Sequence, residues 1–481
     1  MTMGCPCSLL FLSYQPKIPR LEKTSCNPSS SSCSKCKFMD SPIILWSQVG
    51  NCVDKRPKRV LYHSQFWLKS CCSTDNSKSG CIVHLTLLLF SFILSNTMPG
   101  IGIDKNSWQV QASVISDNTL LRRYIVTHGK AILRYALPIP IDEPIRGLQS
   151  TLEQLLIDLH SPGKSGISLA WKDIQKAKPI LHRGEVEILL DTRKEHRDEA
   201  AVALGDVDQL LESIQEKIKV TKNSKKALKD MKNEIAQQTE STLDKIAQLE
   251  EWMVQGFPYP IPHKYDSLPR LKGRATVEMT VTKANHPTVD SSSLFRDKNG
   301  SPIGNSIHLV AILDGYSAPL TSGNFIQALL NNIYQNATIV HKESGFYLFV
   351  QPKQLLIDSN TKKPRHIPME VLVDGDPYPI WGKTLETADL ADLQPVLPMT
   401  AFGALAMVHS SEDENDANSS FFIFTLDPRS EQARNKGGNV LNGNVATFGY
   451  IVEGLEYLLQ ISPNDTITHT RILNGMDKWE P

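Results

Sequence analysis

The sequence predicts an α+β multidomain protein in which an N-terminal helical bundle precedes a closed β-barrel with capping helices. Two patterns support this prediction. Residues 146–255 repeat apolar side chains at helical spacing, whereas residues 274–481 contain many short alternating strands with a helix between them. The two regions are joined by "GFPYPIPHKYDSLPRLKG" (256–273), whose four prolines stop a helix and form a stiff connector.

The first 112 residues have the composition of an organelle-targeting leader. They hold 12 basic and 5 acidic side chains, and residues 1–100 contain 17 serines. This basic, Ser-rich and acid-poor composition is typical of a chloroplast transit peptide. The 13 apolar-rich residues 82–94 suit the core of a second, secretory-type signal, and residues 110–112 are small enough for cleavage. We therefore expect a bipartite address over 1–112 that leads to the thylakoid lumen; the alternative is a single-pass anchor at 82–94.

Cysteine and charge separate this leader from the rest of the chain. All nine cysteines lie at or before Cys81, and the "CSKC" at 33–36 lacks a second ligand pair at zinc-site spacing. Residues 113–481 carry a net charge of about −7, which argues against nucleic-acid binding because a phosphate backbone requires a basic surface. For the mature chain we expect no metal, no cofactor, no nucleic acid and no stable transmembrane span.

The bundle is predicted from several amphipathic stripes. Residues 113–145 are expected to be an extended lead-in, and "SxxE" at 150–153 is expected to cap the first helix. The loop "HSPGKSG" (160–166) separates that helix from the next. The Lys-rich run 219–232 is interpreted as a solvated face, with a binding patch as the alternative. The stripes comprise Leu148, Leu152, Leu155, Leu156, Leu159; Val207, Leu210, Leu211, Ile214, Ile218; and Leu228, Met231, Ile235, Thr242, Ile246, Leu249, Met253.

The region 274–481 reads as a barrel because its strands are short and bounded by Gly, Pro or Asp. "RATVEMTVTKA" (274–284) alternates with period two, and residues 319–334 form a helix that Pro319 opens. Residues 350–400 are interpreted as a hairpin excursion from the barrel. The acidic loop 411–418 lacks the pattern of a calcium loop and is interpreted as solvated.

Five segments resemble, in order and spacing, those of a cyclophilin domain: "LDGYSAPLTSGNFIQALLNNIYQNATI", "SGFYLFVQ", "GALAMV", "SSFFIFTL" and "NVATFGYIVEGLEYLLQI". With the leader and the bundle, the chain resembles the large multidomain thylakoid-lumen cyclophilins of plants over roughly 113–475. The resemblance implies an eight-stranded barrel capped by two helices, with a groove that holds a proline. It also implies peptidyl-prolyl cis-trans isomerase activity.

The resemblance assigns the walls of this groove. Phe422 takes the place of the phenylalanine that faces the proline ring, and Phe346 matches the second pocket phenylalanine. Leu441 matches a leucine that closes the wall. Val408 and His409 replace an Ala-Asn pair that contacts the substrate backbone. Without the resemblance, both phenylalanines would be interpreted as barrel core.

The polar groups that the resemblance requires are largely replaced. The arginine that weakens the amide resonance corresponds to His341, which offers a cationic donor only when it is protonated. His341 is therefore the predicted catalytic residue, and any activity is expected to depend on pH through it. The remaining replacements are Tyr347 for a methionine, Phe349 and Ser420 for glutamines, Val440 for a tryptophan and Val445 for a histidine.

The expected function is a thylakoid-lumen cyclophilin with a retained proline-binding groove and weak or absent catalysis. It would bind proline-containing polypeptides and assist the folding or assembly of thylakoid proteins, with photosynthetic membrane complexes among its partners. The alternative is a non-catalytic proline-peptide receptor or a scaffold that docks through its bundle. The connector prolines are interpreted as stiffening the linker; the alternative is that the connector or the bundle covers the groove.

Overall fold

A computed structural model describes residues 121, 127–140, 142–223, 228–284, 294–341, 346–358, 361–426 and 441–481, without the side chains of Asn223 and His341. The bipartite leader expected over 1–112 lies outside these residues. The described chain forms a helical bundle followed by a closed barrel, so the predicted fold class is confirmed.

The bundle contains four long helices preceded by one short helix. The buried faces of three of these long helices carry most of the three predicted stripes, including all five leucines from Leu148 to Leu159, whereas no stripe was predicted for the helix at Ser165–Asp191. Neighbours in the chain pack against each other, and the last long helix closes on the first. The helices are α1 (Gly129–Tyr135), α2 (Pro144–Leu159), α3 (Ser165–Asp191), α4 (Arg197–Asn223) and α5 (Leu228–Met253).

Two expectations for the start of the bundle are wrong. Helix α1 lies inside the lead-in that was expected to be extended. Helix α2 begins at Pro144, whose fixed φ suits the first helical position, so the "SxxE" at 150–153 is helix interior rather than a cap. Ser150 donates to the Gly147 carbonyl, and Glu153 is fully buried. The presence of glutamate at position 153 is therefore explained by its tertiary contacts and not by local capping.

Helix α1 is held against the bundle by buried charges. Arg134 Nε donates to Glu153 Oε1 at 3.0 Å, and Arg146 Nη1 donates to Glu250 Oε1 at 3.2 Å. The Arg146 guanidinium also donates to the carbonyls of Arg134 and Leu137 at 2.7 and 2.8 Å. Burial raises the pKa of Glu250 to about 7, although Arg146 opposes this shift. The conformation of the chain between α1 and α2 is thus held by buried arginine donors, whose hydrogen bonds water cannot replace.

The barrel is closed by eight antiparallel strands in the order β10-β11-β7-β6-β13-β2-β5-β12. These strands are β2 (Arg274–Thr282), β5 (Ser306–Asp314), β6 (Ala337–His341), β7 (Tyr347–Gln351), β10 (Ala404–Met407), β11 (Phe421–Phe424), β12 (Ala446–Glu453) and β13 (Thr466–Asn474). Shorter pairs are β1 (Arg270–Leu271) with β14 (Trp479–Glu480), and β3 (Phe295–Arg296) with β4 (Pro302–Gly304). The predicted excursion at 350–400 contains the hairpin of β8 (Glu370–Val371) and β9 (Ile380–Trp381).

Helix α6 (Pro319–Leu330) caps the barrel, and a 3-10 helix at Leu455–Gln460 lies where the resemblance implied a second capping helix. The start of α6 is held by the excursion. The fully buried Glu370 carboxylate accepts from the amides of Leu320 and Thr321 at 3.1 and 3.0 Å, and from Trp381 Nε1 at 2.9 Å. Burial raises the pKa of Glu370 to about 7 even though these donors oppose the shift.

The lead-in also bridges the bundle and the barrel. Arg274 of β2 donates to the Leu133 carbonyl and pairs with the buried Asp314 at 3.4 Å. Lys130 pairs with Asp244 of α5 at 2.9 Å. Helix α1 therefore has partners on both sides and lies where bundle and barrel meet.

Candidate active site

Strand β11 directs its two adjacent phenylalanines to opposite faces of the barrel wall. Phe421 points inward and packs at right angles on Phe325 and Tyr334, with ring centroids 5.2 Å away in both cases. Phe422 belongs to a separate apolar cluster on the outer face. Alternation along a strand requires this division, so the residue aligned with the proline floor is the outward one.

We call this second group the outer-face cluster. Six positions assigned from the resemblance, together with the replaced histidine position Val445, fall in it. Phe422 and Val445 are buried within it, and the other five side chains are half-buried and pack against it. The seven are Phe346, Tyr347, Phe349, Val408, Phe422, Leu441 and Val445.

Strand register accounts for this convergence. Phe422 of β11 lies directly opposite Phe349 of β7 and opposite Ala406 of β10. The rings of Tyr347 and Phe422 have centroids 5.1 Å apart at an interplanar angle of 35°. The Val408 amide donates to the Ser420 carbonyl at 2.9 Å, which places these two predicted residues side by side. The fold therefore forms an aromatic floor across three neighbouring strands.

The same cluster contains residues that sequence reasoning did not assign to the site. Helix α1 contributes Ala131, Ile132 and Leu133, and the segment before β10 contributes Leu397 and Met399. Phe422 is only 4% exposed as a result of its packing in this cluster. The floor of the predicted groove is thus already buried within the chain itself.

Close contacts hold these covering segments on the barrel. Gly129 of α1 approaches Tyr450 of β12 so closely that an added Cβ would lie 2.7 Å from the Tyr450 Cβ. The Tyr450 hydroxyl donates to the Pro398 carbonyl at 2.8 Å. Thr447 donates to the Met399 sulfur at 3.7 Å. The glycine at 129 is the one local signal in the sequence for this close approach.

The connector does not take part in the outer-face cluster, as far as its described residues 256–273 show. Tyr259 instead donates its hydroxyl to the Tyr316 carbonyl at 2.7 Å and packs edge-on against Trp381. Pro258 lines a small cavity together with Ala136 and Val396 of that cluster, so whether the connector prolines lie over the groove stays a prediction. Trp381 of the hairpin excursion contacts the connector.

His409 lies at the edge of the cluster, and its ring joins two loops. Its Nδ1 is 2.7 Å from the Ser410 carbonyl oxygen, and its Nε2 is 2.9 Å from the Asn444 carbonyl oxygen. His409, which was predicted to contact the substrate, thus connects two loops of the protein itself. The sequence did not indicate these contacts.

His341 ends strand β6 and pairs through its backbone with Leu348 of β7. Its side chain, residues 342–345 and Val440 lie outside the described part of the chain. The catalytic assignment of His341 therefore stays a prediction. The described helices include none with the length and apolar content needed to cross a membrane.

Comparisons with known proteins agree with this architecture. Residues 128–254 match the "CYP38-like, PsbQ-like domain" of peptidyl-prolyl cis-trans isomerases, and residues 304–476 match the cyclophilin-type isomerase family. The chain is 32% identical over 397 residues to a putative thylakoid lumen peptidyl-prolyl cis-trans isomerase of Synechocystis sp., covering 82% of this chain and 93% of that protein. It is 29% identical over 405 residues to the chloroplastic isomerase CYP38 of Arabidopsis thaliana, covering 82% of this chain and 85% of that protein.

These relatives confirm the expected resemblance, the isomerase class and the address in the thylakoid lumen of the chloroplast. Cyclophilins bind proline-containing peptides as substrates, and the outer-face cluster lies where the resemblance puts that groove. The chain belongs to the family of thylakoid-lumen cyclophilin-type peptidyl-prolyl cis-trans isomerases that carry a PsbQ-like helical domain.

Proposed function

We propose that this isomerase acts mainly through a proline-binding groove on the outer face of β7, β11 and β10, with weak catalysis. It assists the folding or assembly of thylakoid proteins by holding their proline segments. The observation that supports this most directly is the convergence of Phe346, Phe349, Val408, Phe422 and Leu441 in one apolar cluster. An apolar pocket of this kind suits the ring of a proline.

Weak catalysis follows from the residues that replace the polar groups. Catalysis of X–Pro rotation has to overcome a barrier of about 18–20 kcal/mol by favouring the twisted amide over both planar forms. A donor aimed at the amide weakens its resonance, and loss of one such donor typically costs ~10²–10³-fold in rate. This chain has Phe349, Ser420 and Val445 at positions where polar family side chains are expected, and His341 in place of arginine.

Peptide binding by the full chain tests the groove. We expect Phe422→Ala to weaken the affinity for a fluorescent Ala-Pro-containing peptide by roughly tenfold, because aromatic contact with the ring is lost. Leu459→Ala is the matched control, since that side chain is exposed and lies outside the outer-face cluster. Equal losses in both variants, or no binding by the native chain, would contradict the proposal.

A proline-isomerisation assay tests the catalytic part. The native chain is expected to give a low rate, and His341→Arg to raise it by roughly 10²-fold, since a permanent cationic donor is restored. A fast native rate would show that weak catalysis is wrong. Unchanged binding with no rate in either variant would instead favour the non-catalytic receptor.

The proposed partners are proline-containing segments of lumenal proteins and of photosynthetic membrane complexes. Crosslinking in lumen extract, with the native chain and with Phe422→Ala, separates partners held by the groove from partners that dock through the bundle. Partners of the groove should be lost from the variant. If the crosslinked set does not change, the chain is a scaffold that docks through its bundle.

A further inference from the structure

The ring of His409 has both nitrogens directed at backbone carbonyl oxygens. Nδ1 lies 2.7 Å from the oxygen of Ser410, and Nε2 lies 2.9 Å from the oxygen of Asn444. A carbonyl oxygen only accepts hydrogen bonds, so each contact needs an N–H on the ring. The neutral imidazole has one N–H and the imidazolium has two. The geometry therefore fits the doubly protonated ring.

The two carbonyls belong to the loop that follows β10 and to the turn that precedes its neighbouring strand β12. His409 follows strand β10 by two residues, and Ser410 opens the acidic loop that leads to β11. Asn444 lies in the turn between Leu441 and Val445, both of which pack in the outer-face cluster. The ring thus connects the loop beside Val408 with the turn that carries Leu441 and Val445.

Both residues whose carbonyls face His409 also bond a carboxylate. The Ser410 amide donates to the Asp416 carboxylate at 2.7 Å. The Asn444 side-chain Nδ2 donates to the Glu386 carboxylate at 3.1 Å. Each carbonyl that faces His409 therefore belongs to a residue whose other polar group is bonded to an anion.

The remaining charged groups near this contact are also mostly acidic. Glu414 of the acidic loop accepts from the Thr384 amide at 2.9 Å and so ties that loop to the excursion. Glu412 and Asp413 are exposed on the same loop, and Lys383, next to Thr384, is exposed on the excursion. The turn at 441–445 has no ionisable side chain. Among the described residues of the acidic loop, the excursion and the turn at 441–445, the carboxylates outnumber the cations.

We propose that His409 is a positioning residue that, when protonated, clamps the loop after β10 to the turn before β12, beside the proline groove. Histidine is the side chain whose charge ordinarily changes between about pH 5 and 8. On loss of the second proton, a ring lone pair faces a carbonyl lone pair, and the clamp opens on one side. The groove then binds proline peptides more tightly in a lumen at about pH 5.5 than at about pH 7.5. This inference rests on the proposed groove and deepens it.

The protonation state is tested first, without any ligand. Heteronuclear NMR of the full chain with ¹⁵N-labelled histidine follows the ring nitrogens from pH 5 to 8. At the acidic end we expect both His409 nitrogens to carry slowly exchanging protons that correlate with the Ser410 and Asn444 loops. A ring that is neutral throughout this range overturns the inference and leaves the proposed groove untouched.

Peptide affinity is measured second, on the same chain and over the same pH range. We expect the affinity for an Ala-Pro-containing peptide to rise roughly tenfold from pH 7.5 to 5.5, the size of one charge-assisted hydrogen bond. His409→Asn should flatten this profile, since asparagine does not titrate. His469→Asn is the matched control at an exposed histidine of β13 and should keep the native profile.

The outcomes separate the two proposals. A native chain that binds the peptide with a flat profile, or a profile that survives His409→Asn, removes the clamp and leaves the groove. A native chain that binds no peptide at any pH removes the proposed function and the clamp with it.

Discussion

The two faces of the barrel wall bury aromatic residues in different ways. Inside, Phe421 packs on Phe325 and Tyr334, and Phe325 packs on Phe448, in a core that the barrel closes by itself. Outside, Phe422 is nearly as buried, at 4% exposure against 0%, but its cluster includes the lead-in helix α1 and the segment before β10. The interior aromatics are buried by the barrel itself. The outer-face cluster is completed by α1 and by the segment before β10, which are not barrel strands.

This difference bears on function because a groove must be accessible to its ligand. Interior aromatics stabilise the barrel whether or not a peptide is bound. Outer-face aromatics serve both the packing of α1 and the proposed binding of proline, so these two uses compete. Substitutions on the inner face should therefore change mainly the stability of the barrel, and substitutions on the outer face should also change peptide binding.

The largest effect is expected inside. Phe421→Ala should lower the free energy of unfolding of the barrel by ~3–5 kcal/mol, because it leaves a cavity beside Phe325 and Tyr334. Urea denaturation followed by tryptophan fluorescence measures this loss. Phe422→Ala should cost less than Phe421→Ala, because its neighbours include the half-buried Phe349 and Tyr347. Equal costs for the two variants would mean that the faces do not differ as described.

The second effect is a pH dependence of stability. It arises at Glu370, which holds the start of α6, the helix that carries Phe325. The pKa of Glu370 is raised to about 7 when the chain is folded, above its ordinary value of 4.5. The folded chain therefore binds a proton that the unfolded chain releases between these values. Stability from this group is fully present below about pH 4.5 and is lost as the pH rises through about 7. The loss amounts to about 3 kcal/mol.

Unfolding free energies between pH 4.5 and 8 check this dependence. Glu370→Gln should remove the part of the slope that Glu370 contributes, since the amide does not titrate. Glu250, whose pKa is also about 7 in the bundle, should keep its own contribution in that variant. A slope unaffected by Glu370→Gln would show that the carboxyl titrates normally.

The third effect is expected where α1 meets the outer face. Gly129→Leu would place a side chain against Tyr450, where even a Cβ is 2.7 Å from the Tyr450 Cβ. Overpacking of this kind typically costs ~1–3 kcal/mol, and here it should loosen α1 from the barrel. Limited proteolysis should cut the lead-in faster, and the affinity for a proline peptide should rise because the outer face is less covered.

Gly205→Leu is the matched control for this variant. Gly205 lies on an exposed position of α4 with no heavy atom within 4 Å of an added Cβ, so proteolysis and affinity should stay at native values. Faster proteolysis of Gly129→Leu without any gain in affinity would show that α1 does not restrict the groove.

Sequence patterns were sufficient where a local rule decides the outcome. The 3.6-residue stripes predicted the cores of α2, α4 and α5. Local rules failed at Ser150–Glu153, where a capping pattern occurs inside a helix that Pro144 had already started. Glu153 is there because Arg134 needs a buried partner, and no local pattern contains that pair.

By itself, the sequence determined the order of bundle and barrel and the apolar character of the residues around the proposed groove. Only the tertiary structure decided that α1 and residues 397–399 share the cluster of Phe422, that Glu370 holds the start of α6, and that His409 joins two loops. The physical reason is distance along the chain. Periodicity reports neighbours within a few residues, whereas these contacts join residues tens to hundreds of positions apart, which come together only when the barrel closes.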